Sequence, residues 1–257
     1  MLCEIHMFPC LTDNYGFLIH DKSTGLTAAI DSPEVSAINA ALIQKHWKLT
    51  HIFNTHHHYD HAGGNLELKE RWKCKIVGAA CDEKRIPGID QKVVDGDRFE
   101  FGETEVKVFE VPGHTKGHIA YYFASEHMVF VGDTIFSMGC GRLFEGTADQ
   151  MWCSLQKLMT LPADTKIYCA HEYTESNANF AITVDPDNSL LKTRVKEVRE
   201  LQQILGIPNN KVWLMPEGLV SEELTSRRRW LMELCQNYGY NYTDRLHIIA
   251  YGDIRGV

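Results

Sequence analysis

Short apolar runs separated by polar and glycine-containing stretches make up most of this chain. Residues 26–30, 52–53, 75–77 and 121–123 read as strands, rich in β-branched and aromatic side chains, and they alternate with helical stretches, which predicts an α/β protein. Three further strand-like runs each lead to a polar residue able to ligate a metal: 106–111 to His114, 128–131 to Asp133, and 166–170 to His171.

Beyond these, the spacing of Leu191, Val195, Val198 and Leu205 predicts a helix over 189–205, stopped by Gly206 and Pro208. The pattern then changes. Residues 211–215 read as a strand, Ser221 as an N-cap with Glu222 and Glu223 in the first helical turn, Gly239 as a C-terminal stop, and 246–251 as another strand. Strand, helix, strand at this spacing predicts a βαβ-like unit with a parallel pair. The expected division is a catalytic domain at 1–175 and a C-terminal region at 176–257.

The densest chemistry lies at 55–61, Thr-His-His-His-Tyr-Asp-His, which holds His56, His58, Asp60 and His61. Residues two apart on an extended segment face the same side, so His56 and His58 can share one cation. Asp60 and His61, one turn further on, can reach a second. A chain with 13 histidines can carry such a tract without catalysis, but a bare tract predicts no distant partners. His114, Asp133 and His171 at strand ends are such partners, with Asp133 able to bridge two ions. The middle His57 is expected to point away, and His118 to hydrogen-bond behind the ligands.

His-x-His-x-Asp-His, a later Gly-His-Thr-x-Gly-His, a strand ending in Gly-Asp and a final His resemble the metallo-β-lactamase superfamily. Within it, 55–64, Gly-Cys-Gly-Arg-Leu-Phe-Glu-Gly-Thr at 139–147 and Ala-His-Glu-Tyr-Thr at 170–174 are similar to glyoxalase II, the hydroxyacylglutathione hydrolases, over about residues 1 to 200. The resemblance implies an αββα sandwich with a C-terminal extension. It implies one metal on His56, His58 and His114, a second on Asp60, His61 and His171, and Asp133 between them. Asp60 and Asp133 would be the catalytic carboxylates, and Arg142, Phe144 and Tyr173 the substrate-binding residues. Asp31 resembles a carboxylate supporting a ligand; a strand-end turn residue before Pro33 is an equal alternative.

The implied reaction is thioester hydrolysis of S-(2-hydroxyacyl)glutathione by two divalent metal ions, zinc first, with iron and manganese as alternatives. The family's C-terminal glutathione-binding motifs, Asn-Pro-Phe-Leu-Arg and a terminal Arg-x-x-Lys-Asp-x-Phe, are absent. The last fifty residues are instead similar, at 212–218 and 245–257, to the end of 7-carboxy-7-deazaguanine synthase, a radical enzyme. The cysteines at 3, 10, 74, 81, 140, 153, 169 and 235 lack the Cys-x-x-x-Cys-x-x-Cys spacing of its iron-sulfur loop, so a structural role is expected for the tail, including homo-oligomer contacts. Other readings remain: a different activity on the same scaffold, such as persulfide dioxygenation, lactonase or other thioesterase chemistry, or a metal-binding protein with impaired substrate binding.

Composition sets the outer bounds. With 257 residues, 44% hydrophobic, the chain can bury a full core, and a net charge of −8 disfavours nucleic acid as a partner. No export signal or membrane span is read, which predicts a cytoplasmic protein with reduced cysteines. The Arg227-Arg228-Arg229 run is expected on a solvated helix face.

Overall fold

In the computed structural model, which describes residues 2–204, 213–214, 232 and 241–242, the chain is arranged around two sheets. The first takes six strands in chain order: β1 (Cys3–Cys10), β2 (Asn14–Asp21), β3 (Thr27–Ile30), β4 (His51–Phe53), β5 (Lys75–Ala79) and β6 (Gln91–Val93). The pairs β1–β2 and β2–β3 are antiparallel, and from β3 to β6 pairing is parallel. Parallel neighbours need crossovers, and helices α1 (Val35–Lys45), α2 (Tyr59–Ala62) and α3 (Asn65–Trp72) lie in those connections.

The second sheet is an antiparallel meander of β7 (Arg98–Phe101), β8 (Thr104–Glu110), β9 (Ile119–Phe123) and β10 (Met128–Gly132). After the hairpin β11 (Ile135–Phe136) and β12 (Gly139–Cys140) and helix α4 (Ala148–Met159), β13 (Lys166–Cys169) returns parallel to β10. Helices α5 (Thr174–Val184) and α6 (Ser189–Ile204) follow.

Strand periodicity sorts the side chains into layers. Phe17, Ile30, Phe53 and Val77 from one sheet meet Phe101, Val106, Val108, Tyr121, Phe123 and Phe130 from the other in a single core. Their chain neighbours Leu18, Ala29, Ile52 and Ile76 turn to the opposite face and pack with Ile38, Leu42 and Leu68 of α1 and α3. On the far side, Ala120, Tyr122, Val129 and Val131 meet Leu158 of α4. Both faces of each sheet are covered, which is why these strands read as continuous apolar runs. Each buried Phe of the central layer contributes on the order of 1.5–3 kcal/mol. Tyr121, fully buried there, donates its hydroxyl to the Asn54 carbonyl at 2.8 Å, so its polar atom is not stranded.

The layers are those of a four-layer αββα sandwich. The β1–β2 hairpin was not among the expected strands: β1 alternates weakly and contains Pro9, tolerated because β1 lies at the sheet edge.

The chain divides into two compact units, 1–191 and 192–257. In α6, Val195 and Val198 are buried and Leu191 half-buried, as its periodicity predicts. In the second unit β14 (Trp213–Leu214) pairs in parallel with β15 (Asn241–Tyr242). Asn241–Tyr242 was not read as a strand, having too little apolar pattern, whereas pairing needs only backbone groups. The expected strand at 246–251, the helix after Ser221, the Arg227-Arg228-Arg229 run and His247 lie outside the described residues. Seven described cysteines are free thiols. Among the described residues, no helix is long and apolar enough to cross a membrane.

Candidate metal centre

The seven donors converge at the ends of strands. His56 and His58 follow β4, Asp60 and His61 sit on α2, His114 lies in the loop after β8, Asp133 directly follows β10, and His171 follows β13. Their atoms form the clusters His56–His58–His114 and Asp60–His61–His171, joined by a third grouping, His56–His61–Asp133. Asp133 lies between: Oδ2 is 3.3 Å from His114 Nε2, while Oδ1 is 3.3 Å from His61 Nε2 and 3.4 Å from His171 Nε2. Asp60 Oδ2 is 3.5 Å from both His61 Nε2 and His171 Nε2.

The surrounding hydrogen bonds decide which ring nitrogen is left for a cation. His61 Nδ1 donates to Asp31 Oδ2 at 2.8 Å, His171 Nδ1 to Asp13 Oδ1 at 2.9 Å, and His114 Nδ1 to the Arg142 carbonyl at 2.8 Å. Thr55 donates its hydroxyl to Asp31 and so accepts from His56 Nδ1 at 3.1 Å. Four Nε2 lone pairs are thereby directed inward. His58 instead presents Nδ1, 3.0 Å from His56 Nε2 and 3.1 Å from His114 Nε2. One proton on His58 can serve only one of those two lone pairs; a cation satisfies all three nitrogens.

The second cluster passes the same test. His61 Nε2 and Asp133 Oδ1 are buried, face each other out of hydrogen-bonding alignment and have no hydrogen-bond partner. Orphaned buried polar atoms are costly, and a divalent ion removes the cost. Imidazole with carboxylate suits zinc, iron or manganese, so the donor set fits divalent metal ions.

Charge is distributed unevenly across the centre. Burial and neighbouring imidazoles hold His56 far below its ordinary value and take His58 down to about 4. Against the same burial, the hydrogen bond to Asp13 and the neighbouring carboxylates of Asp133 and Asp60 push His171 up to about 11, and Asp133 and Asp31 raise His61. Burial opposes ionisation of Asp60 and Asp133 as well, yet His171 and His61 keep both carboxyls well below the usual range. The side bearing Asp60 and Asp133 therefore demands positive charge, and protons and metal ions compete to supply it.

Backbone constraints support the donors. Asp31 adopts φ +59° at the end of β3 and holds Thr55 N and Thr55 Oγ1 as well as His61, so it is both the strand-end residue and a support for the His61 ring. Gly132 has φ +50°, and a Cβ there would stand 2.5 Å from Thr55 Oγ1; glycine is required immediately before Asp133. His118 is buried, stacks on His56 and accepts from Asp133 N at 3.0 Å.

Two supporting residues were not singled out in the sequence. Asp13, in the turn between β1 and β2, orients His171, and Asn14 Nδ2 donates to Asp60 Oδ2 at 3.3 Å. Tyr15 donates its hydroxyl to Glu172, and Asn14 bridges to His171, binding this turn to the segment that carries His171. The signal available for them was Asp-Asn in a turn between two alternating segments.

Of the expected substrate residues, Phe144 packs its ring on His58 and His114, with centroids at 5.7 and 5.1 Å. Tyr173 stacks on His171 at 5.0 Å. Arg142 has an exposed side chain outside the donor cluster, while its carbonyl anchors His114. His57 turns away from the donors and faces Asp82.

A sandwich with a cluster of metal-binding histidines and carboxylates at its strand ends defines a metal-dependent hydrolase. A model of the metallo-beta-lactamase superfamily matches residues 31–171, and one of the hydroxyacylglutathione hydrolase C-terminus matches 172–209. A hydroxyacylglutathione hydrolase of Rhizobium etli is 54% identical over 199 residues, 77% of this chain and 78% of that one. Its counterpart in Methylococcus capsulatus is 50% identical over 202 residues, 79% of each chain. The crystal structure of ETHE1 from Myxococcus xanthus is 32% identical, with a TM-score of 0.57 over 67% of this chain and 76% of that one. This chain belongs to the metallo-β-lactamase superfamily and, within it, to the hydroxyacylglutathione hydrolases, the glyoxalase II family.

Proposed function

We propose that the chain hydrolyses the thioester of S-(2-hydroxyacyl)glutathione, lactoylglutathione among them, to a 2-hydroxy acid and free glutathione. The observation that carries this reading is the pair of three-donor clusters with Asp133 between them, in a chain half identical to hydroxyacylglutathione hydrolases. His56, His58 and His114 would hold one divalent ion, Asp60, His61 and His171 the other, and Asp133 both, with residues 1–175 as the catalytic domain. Bound there, such ions lower the pKa of water toward ~7 and polarise a carbonyl oxygen. Zinc is the proposed occupant, and elemental analysis of the purified protein decides among zinc, iron and manganese.

The chain's own groups do the rest. Asp60, whose side chain is 38% exposed, can orient the attacking water by accepting a hydrogen bond from it. Water adds to the thioester carbonyl, the C–S bond breaks, and the thiolate leaves without needing a strong general acid. Phe144 and Tyr173 flank the centre, one against each cluster, and form walls for the acyl and cysteinyl portions of the substrate. Phe144 lacks a hydroxyl and contributes only its ring. Arg142 supplies a cation for a glutathione carboxylate. A complete second cluster disfavours single-iron oxygen chemistry.

Turnover of lactoylglutathione by metal-loaded protein, with one thiol released per thioester, is the expected result. Full metal occupancy without thiol release rules the reading out. Because the family's C-terminal basic motifs are absent, near-normal kcat with a raised KM is the form expected.

A further inference from the structure

A second polar cluster lies behind the metal centre and supplies none of its donors. Asp82, 1% exposed, closes the 3-10 turn Ala80–Asp82. Its Oδ2 accepts from His57 Nδ1 at 3.2 Å, and its Oδ1 from Arg85 Nε at 3.1 Å and Nη2 at 2.5 Å. With that proton on Nδ1, His57 Nε2 accepts from Arg85 Nη1 at 3.2 Å. Arg85 also donates through Nη1 and Nη2 to the two oxygens of Glu145, and Glu145 Oε2 accepts from Lys116 N at 2.9 Å. Space is tight on the other side: a Cβ at Gly117 would stand 2.4 Å from the Asp82 carboxylate.

Arg85 therefore joins four segments: its own turn, the histidine heptapeptide through His57, the 113–118 loop through Lys116 N and Asp82, and the 139–147 loop through Glu145. The last of these carries Arg142 and Phe144. At its start the loop is held by the pairing of Gly139 and Cys140 with Phe136 and Ile135, and its later part meets the 113–114 segment: Phe144 N and Glu145 N donate to the His114 carbonyl, Gly146 N to that of Gly113, and His114 Nδ1 to that of Arg142. Toward the heptapeptide the loop packs the Phe144 ring on His58, and the Arg85–Glu145 pair adds the charged, two-point hold on that side. A solvent-exposed ion pair would contribute little, but here one carboxylate is fully buried and the guanidinium is its cation.

We propose that Arg85 is a positioning residue for substrate binding: through Glu145 it fixes the 139–147 loop against the histidine heptapeptide, so that Arg142 and Phe144 meet the glutathione thioester in one arrangement. This rests on the thioester reading above. His57, which ligates nothing, has its role in this cluster.

The test compares metal-loaded wild type with Arg85→Met and, because Arg85→Met strands Asp82 and can impair folding, with Glu145→Gln, which leaves the Asp82–Arg85 pair intact. Two readouts are taken: KM and kcat for lactoylglutathione, and amide hydrogen exchange across 141–147. Both variants are expected to keep wild-type metal content, exchange faster across 141–147, and raise KM about tenfold with kcat within about threefold. Arg98→Met, which removes an exposed ion pair with Glu105 elsewhere, should move neither readout. Loss of kcat at unchanged KM, or faster exchange without a rise in KM, overturns the proposal, because Arg85 would then only stabilise the fold. If wild type shows no turnover, the thioester reading has failed, and exchange alone decides for Arg85: unchanged exchange across 141–147 overturns its positioning role.

Discussion

The orientation of the candidate metal-binding side chains is set by residues outside the donor clusters. Asp13 is the clearest case, since it accepts from His171 Nδ1 and so leaves Nε2 as the nitrogen aimed at Asp60 and Asp133. Asp13→Ala frees the ring to take the other tautomer. Affinity of the second cation is expected to fall by about 10- to 100-fold, while the cation at His56, His58 and His114 is retained. Titration of apoprotein with zinc should then show one tight equivalent in place of two. Gly132 makes a different demand: Gly132→Ala places a methyl against Thr55 in a left-handed conformation. A loss of roughly 2 kcal/mol or more is expected, read from the urea midpoint at unchanged slope.

At the scale of elements, ligand positions follow from how each strand or helix ends. α4 starts at a capping box, in which Gln150 N donates to Thr147 Oγ1 at 3.2 Å and Thr147 N to Gln150 Oε1 at 2.9 Å. That box stops the 139–147 loop at a defined residue. Thr147→Ala should cost about 1 kcal/mol of stability, measured by thermal unfolding, and leave metal content unchanged. The strands were legible where runs were apolar on both faces, as in β9 and β10, because burial on both sides removes the polar half of the alternation. β1 was not legible, since an edge strand with Glu4, His6 and Pro9 has no such pattern, and Asp13 and Asn14 were missed with it. The Asp82–Arg85–Glu145 cluster was also missed: Asp82 and Arg85 are three apart, but Glu145 lies 63 positions from Asp82, and no local spacing relates it to them.

On the scale of the whole molecule, the two sheets are tied at one end by Asp21. This fully buried carboxylate, at the end of β2, accepts from Ser23 N, Thr24 N and, across the sandwich, Glu103 N between β7 and β8. Burial works against its ionisation, but these three backbone hydrogen bonds prevail and hold its carboxyl below the ordinary 3.8. A depressed carboxyl contributes stability that is complete above the unfolded pKa and is lost as pH falls through the folded one. Urea midpoints should therefore drop between pH 5 and pH 3 more steeply in wild type than in Asp21→Asn. Removal of the metals should act on the same molecule from its other end. Chelation is expected to lower Tm, since cations bind the folded centre and no comparable site exists in the unfolded chain.

From sequence alone came the donors themselves, their likeness to one family and the alternation that makes a layered α/β fold, because each is a matter of residue type and short-range spacing. Tertiary structure decided which nitrogen of each histidine faces inward, that Asp13 and Asn14 stand behind the second cluster, and that His57 belongs to an arginine network and not to the metals. Those outcomes depend on partners brought together by packing, and hydrogen-bond directions between segments far apart in the chain leave no trace in local sequence.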